Sequence, residues 1–215
     1  MLAEHRGRRF TEAPAFFFAS EARVPTLAVF IDGGYIDAIC RQHFDGLRVD
    51  YQKLGAEIQR RIGQGSAGPL EHLRTYYYTC PPYQDDPPTA EDRRRLSGYQ
   101  RFRDAVGYLP RFELREGRLQ KTGEAEEGHP LFQQKRVDLL LGLDIALLSA
   151  KQQSTHMALL AGDGDFHPAL RVAKQEGVSF WLLHGPRGSY SRELWHEADE
   201  RVELDAAFMN AVRRD

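Results

Sequence analysis

Three short apolar runs set the terms for this chain: TLAVFID at 26–32, HMALLA at 156–161 and VSFWLLHG at 178–185. Each is uninterrupted and bounded by turn residues. A strand with one face in water alternates apolar and polar residues. A continuous run of this length fits a strand covered on both faces. Segments with helical spacing lie between them. YIDAICRQHF (35–44) reads as a helix, as does YQKLGAEIQRRI (51–62), apolar at Leu54, Ile58 and Ile62. FHPALRVAKQEG (166–177) is a helix ending at Gly177, a common stop. SRELWHEAD (191–199) and the C-terminal residues are helical, and RVELD (201–205) is a short strand. LRTYYYTC (73–80), rich in aromatics and threonine, is a further strand. Strands alternating with helices of this length predict an α/β sandwich with a mainly parallel central sheet.

The middle of the chain is decorated. PPYQDDPPT (81–89) is an irregular linker. AEDRRRLSGYQRFRDAVGYL (90–109) is a long basic helix with an apolar stripe of Leu96, Tyr99, Phe102 and Val106. RFELREGRLQK (111–121) reads as a hairpin turning at Glu116-Gly117, and EAEEGHP after it as a polar loop. KRVDLLLGLDIALLSAK (135–151) is a strongly apolar helix. The 215 residues suit one decorated domain. Residues 1–24 are expected to be an extension and 25–215 the domain, with the linker, basic helix and hairpin at 81–130 as an insertion.

A net charge of −2 argues against nucleic-acid binding through overall positive charge and leaves local patches open. RGRR (6–9) and RRRLSGYQRFR (93–103) are basic, while GEAEEG (123–128) is acidic. Such runs are most often solvated faces. Cys40 and Cys80 stand in no metal-ligand spacing and read as free thiols of a reducing compartment. No run approaches the ~20 apolar residues of a membrane span. The AFFFA patch near the N-terminus is too short for a signal-peptide core. A cytoplasmic protein without membrane partners is expected.

In a sheet of this kind, chemistry collects at the carboxyl ends of the strands. Asp32 ends the first run. Asp163 and Asp165 follow the HMALLA run in LLAGDGDFHP. Asp138 opens the apolar helix that precedes that run, and Asp144 lies about 240° further round the same helix, so Asp144 is the weaker candidate. Turn chemistry alone accounts for a lone GDGD, because Asp bonds its own backbone and Gly tolerates positive φ. Several ionised carboxylates brought together repel, and a hard cation such as Mg2+ or Mn2+ is the usual remedy. Such an ion activates water and stabilises a phosphoryl transition state. His156, His167 and His184, expected near the same strand ends, show no paired metal spacing and read as loop or cap residues.

VFIDGGYI (29–36), KRVDLLLGLD (135–144) and LLAGDGDFHPAL (159–170), in that order, resemble the NYN domain family, a branch of the PIN-like nuclease superfamily, and within it the bacterial LabA-like group. GVSFWLLHG and SRELWHEADERVELD add to the likeness, which covers roughly residues 26 to 205. The resemblance implies a three-layer α/β/α fold and a metal-dependent ribonuclease. It carries Asp32, Asp138, Asp163 and Asp165 over as catalytic and metal-holding acids, with Asp144 as a possible additional acid. It also carries over Lys135, the lysine of the helix start. With Arg136, Gly33, Gly164 and Tyr35, Lys135 forms the candidate substrate contacts. Tyr83 is a second ring that could stack on bases, and Arg93, Arg94, Arg95, Arg101 and Arg103 could hold phosphates. Ala161 stands where the family commonly has a small hydroxyl residue, and Tyr35 where it often has Asn.

The expected substrate is RNA, single-stranded or structured, with DNA not excluded and a homo-oligomer open. The competing reading is a catalytically weak or inactive RNA-binding module. A haloacid-dehalogenase-type phosphatase would need a second Asp where Gly34 stands. A Toprim-like site would need a Glu after an early strand, and that strand ends in Asp32.

Overall fold

The computed structural model describes residues 24–66, 68–124 and 130–215, with the backbone alone for 119–124 and 130–135. The expectations for the N-terminal extension and for the EAEEG loop therefore lie outside the described residues, apart from Val24 and Glu124.

Strand β1 (Thr26–Asp32) sits between β2 (Glu71–Thr79) and β6 (His156–Leu160), parallel to both. Its residues Leu27 to Ile31 are wholly buried, which is why the run carries no polar interruption. The full sheet has six strands in the order β3-β2-β1-β6-β7-β8, with β3 at Phe112–Glu116, β7 at Ser179–His184 and β8 at Glu200–Glu203. Every pairing in it is parallel. The chain winds outward through β2 to β3, then returns to β6 on the other side of β1. The crevice between β1 and β6 is therefore the point where the winding reverses, the usual binding place in such sheets.

Two apolar layers cover the sheet. Helices α1 (Gly33–His43), α2 (Tyr51–Gly65) and α7 (Ala206–Ala211) bring Ile36, Ile39, Leu54, Ile58, Ile62 and Phe208 onto one face, against Leu27, Val29 and Ile31. Helices α4 (Val137–Ala150), α5 (His167–Gln175) and α6 (Arg192–Glu197) bring Val137, Leu141, Ile145, Leu170 and Leu194 onto the other, against Ala28 and Phe30. Strand periodicity assigns alternate β1 residues to alternate layers. Asp32 shares its parity with Ala28 and Phe30 and so belongs to the α4 side. Burying a side chain the size of Leu or Phe stabilises the fold by about 1.5–3 kcal/mol. Helix α4 also carries apolar residues on its outer face, where Leu139, Leu143 and Leu147 are exposed.

The expected basic helix is α3 (Ala90–Gly107), opened by a capping box in which Thr89 and Asp92 bond each other's backbone. The 111–121 hairpin is not formed. Its first half is β3, an edge strand parallel to β2. Its second half, β4 (Arg118–Glu124), pairs antiparallel with β5 (Pro130–Lys135) in a separate two-stranded ribbon. Glu116-Gly117 is a passage between sheets rather than a hairpin turn. Cys40 and Cys80 are free thiols, and burial pushes that of Cys40 up to about 11. Among the described residues, no helix is long and apolar enough to cross a membrane.

Candidate functional site

Asp32 is both the last residue of β1 and the N-cap of α1. Its Oδ1 accepts hydrogen bonds from the amides of Gly34 (2.9 Å) and Tyr35 (3.2 Å). The strand passes straight into the helix because residue 33 is glycine. A Cβ there would lie 2.7 Å from the Tyr77 ring. Gly33, a candidate substrate contact, is thus buried against a side chain.

Beyond β6 the same device recurs. Asp163 caps a short 3-10 turn, Gly164–Phe166, and its Oδ1 accepts from the Asp165 amide at 3.0 Å. Anchored through one oxygen, Asp32 and Asp163 each keep the other oxygen without a hydrogen-bond partner among the described residues. The glycines of this turn have packing reasons. A Cβ on Gly162 would lie 2.4 Å from the Ser189 carbonyl oxygen and 2.4 Å from the Tyr35 ring. One on Gly164 would lie 2.9 Å from Ser191 Oγ. Close approach of a neighbouring loop, rather than of a phosphate, accounts for both.

Asp138 lies in the first turn of α4, exposed. Its N-cap, Arg136, is left-handed at φ 77° and makes no side-chain capping bond. This strained and exposed conformation is unusual for a residue other than glycine. The side chain of Lys135 lies outside the described residues.

The acids feel one another. Burial pushes the Asp32 carboxyl up to about 6, and the charges of Asp138 and Asp163 push the same way, against the pull of the Tyr35 and Gly34 amides. Asp138, exposed as a residue, is also raised, by partial burial of its carboxyl and then by Asp163 and Asp165. These four carboxylates therefore share one electrostatic neighbourhood at the β1–β6 crevice. Among the described residues, no group of three or more His, Cys, Asp or Glu stands ready-made around a metal position. The donor chemistry is nonetheless all oxygen, the set a hard divalent cation accepts.

Asp144 belongs elsewhere. Its Oδ2 accepts from the Tyr78 hydroxyl (2.8 Å) and from Arg115 Nε (3.1 Å), and Arg115 also pairs with Glu113. Tyr35, a candidate base-stacking ring, works as a clamp. Its hydroxyl accepts from the Gly185 amide (2.9 Å) and shares a hydrogen bond with Ser189 Oγ (3.1 Å), holding the loop after β7. The basic run on α3 is partly committed as well. Arg95 pairs with Asp92 at 2.5 Å, and Arg93 donates to the Pro88 carbonyl. Of the three histidines, His156 sits at the opposite, amino end of β6, bonded to Thr155 Oγ1. His184 ends β7 but is buried, with Nδ1 on the Gly185 carbonyl. His167 faces Glu197 at 3.0 Å.

The stretch 186–196 escaped sequence reasoning as a source of site residues. It packs directly on the acidic turn. The Ser191 amide donates to the Gly162 carbonyl (2.8 Å), and Glu193 Oε2 lies 3.3 Å from where a Gly164 Cβ would be. The available signal was position alone, since this loop leaves the carboxyl end of β7 beside that of β6.

Known proteins bear on this arrangement. A relative from Sinorhizobium fredii, the uncharacterized protein y4oD, is 39% identical over 75 residues, 34% of this chain and 35% of that protein. The low amplitude and bright protein LabA of Synechococcus elongatus is 25% identical over 186 residues, 85% of this chain and 86% of LabA. A crystal structure of a Vibrio parahaemolyticus protein of unknown function, VPA0982, superposes with a TM-score of 0.57. It is 19% identical and covers 87% of this chain and 97% of that one, a likeness of fold. The family model for the NYN domain matches residues 26–205, a span holding all of Asp32, Asp138, Asp163 and Asp165. The chain belongs to the NYN domain family, within the PIN-like nuclease superfamily.

Proposed function

We propose that this protein is a divalent-cation-dependent ribonuclease that hydrolyses RNA phosphodiester bonds at the β1–β6 crevice. The observation that carries the reading is geometric: Asp32 ends β1 and Asp163 follows the neighbouring β6, each held through one oxygen by backbone amides, at the point where the sheet winding reverses. A like-charged cluster costs stability, and a fold keeps one where a cation or a proton offsets it. Mg2+ or Mn2+ held by Asp32, Asp138 and Asp163 would supply an activated water and positive charge for the phosphoryl group.

The chain's own residues do the rest. The Gly34 and Tyr35 amides fix the Asp32 carboxylate, and the Asp165 amide fixes that of Asp163, so neither has to be ordered when substrate arrives. Asp165 adds charge beside Asp138. Arg136, exposed two residues before Asp138, is a phosphate contact, with Lys135 preceding it in sequence. Tyr35 keeps the 185–189 loop against the acidic turn and acts on substrate only through that loop.

The test is a cleavage time course on labelled single-stranded RNA and on tRNA, with Mn2+ or Mg2+, with EDTA, and with Asp163→Asn. Cation-dependent cuts that disappear in the variant support the reading. A folded wild type that cuts neither RNA nor DNA, and binds RNA without regard to Asp163, overturns it in favour of an RNA-binding module.

A further inference from the structure

An acidic crevice repels the polyanion it is proposed to cut, so something beside it has to attract one. Next to the acidic turn, the loop after β7 and helix α6 form a half-open cavity of about 650 Å3 lined by Arg187, Gly188, Tyr190, Arg192, Trp195 and His196. We propose that this cavity is a subsite for an unpaired nucleotide of the substrate, its base stacked at the Tyr190 end of an aromatic column and its phosphate held by Arg187 and Arg192. The inference rests on the nuclease reading and deepens it, by making the substrate single-stranded next to the cut.

The wall is built in advance. Tyr190 and Trp195 stack at 5.0 Å with 17° between their planes. Buried His184 wedges against both, 4.5 Å from Tyr190 and 4.8 Å from Trp195. The Arg201 guanidinium lies 5.0 Å from the Trp195 ring centre and donates through Nε to the Trp195 carbonyl at 2.8 Å. With Trp195 covered in this way, a further ring adds on the Tyr190 side. The loop is held in place by the Ser191 amide on the Gly162 carbonyl and by Tyr35 on Gly185 and Ser189. It turns at Gly188, whose φ of +94° suits glycine.

Arg187 and Arg192 line the cavity, are exposed, and make no ion pair or hydrogen bond among the described residues. Charge and rings together match single-stranded nucleic acid, which is held by stacking on aromatic side chains and by cations along its backbone. The cavity also falls in the ~300–1,000 Å3 range of small-ligand sites.

Binding is measured by fluorescence anisotropy in EDTA, so that no cleavage intervenes. The probes are a labelled single-stranded RNA octamer, the same octamer with abasic positions, and its duplex. Tyr190→Ala is expected to weaken the intact octamer about tenfold and to leave the abasic one nearly unchanged. Tyr190→Phe keeps the ring and should keep the affinity. Arg187→Ala combined with Arg192→Ala should lower the slope of log affinity against log salt by about one. The wild type should prefer the single strand to the duplex. Folding of each variant is checked by its melting curve.

Wild-type binding by folded Tyr190→Ala, or equal binding of duplex and single strand, overturns the subsite. Asp163-dependent cleavage with unchanged binding in Tyr190→Ala removes the subsite and leaves the nuclease. Tyr190-dependent binding by a protein that cuts nothing removes the nuclease and leaves the subsite.

Discussion

Asp138 and Asp144 lie on the same helix and lead opposite lives. Asp144 is inserted into the seam between α4, β2 and β3, where a tyrosine hydroxyl and an arginine both donate to it. Asp138 stands in the first turn of the helix, raised by partial burial and then by the charges of Asp163 and Asp165. The contrast extends across the molecule. Asp92 takes the Thr89 amide and hydroxyl and an arginine, which hold its carboxyl well below the usual range. Glu57 is held down by Arg60 and Arg61. Away from the crevice these buried acids are neutralised within the fold. At the crevice, Asp32 and Asp163 are oriented by backbone amides, and neither makes an ion pair with a cation among the described residues. A chain able to surround Asp144 with donors pairs Asp32 and Asp163 with no cation among the described residues, and a bound divalent ion would fill that place.

The sharpest way to break the contrast is by activity. Asp163→Asn should reduce cation-dependent RNA cleavage by at least about a hundredfold, because even outer partners of metal sites cost about 10- to 100-fold when lost. Asp144→Asn should leave cleavage intact in a kinetic assay below its melting temperature. Its cost falls on folding, about 2 kcal/mol in denaturant unfolding, since a charged hydrogen-bond acceptor for Arg115 is lost.

Asp32→Asn should do the reverse. The folded carboxyl titrates near 6 against 3.8 when unfolded, so the folded state holds its proton longer between those values. Stability from this group is full below pH 3.8, falls as pH climbs to 6, and stays low above it. In EDTA at pH 7.5 the Asn variant should therefore be more stable than the wild type. Discounting the shift for partial exposure gives about 1.5 kcal/mol, vanishing near pH 3.5. A wild type at least as stable as the variant at pH 7.5 would contradict the burial and repulsion assigned to Asp32. Tyr35→Phe is the mildest test. Losing its hydroxyl bonds should cost about 1 kcal/mol in thermal unfolding and loosen the 185–189 loop. An unchanged melting temperature would mean the clamp is idle.

Sequence reasoning located the parts of this site that depend on local pattern. A doubly buried strand has to be an unbroken apolar run, so β1, β6 and β7 were legible, and with them the acids at their ends. What depended on distant partners was not. An alternating segment such as RFELREGRLQK looks the same whether it folds on itself or pairs with β2 and β5. Glycine is ambiguous in the same way. Gly33 and Gly164 read as substrate contacts, and the structure packs them against Tyr77 and Ser191. His156 was assigned to the wrong end of its strand: it opens β6, a strand's length from the acids that follow the carboxyl end. The arginines and rings of 186–196 form no spaced motif, and they gain meaning only from the fold that sets them beside Asp163.

The central claim is that the crevice acids bind a divalent cation that the acids elsewhere, paired within the fold, do not need. A calorimetric titration of Mn2+ into metal-free protein at pH 7.5, run side by side on wild type, Asp163→Asn and Asp144→Asn, tests it most directly. The account predicts matching binding in wild type and Asp144→Asn, with binding lost in Asp163→Asn. Binding that persists in Asp163→Asn, or that is absent from the folded wild type, would contradict it.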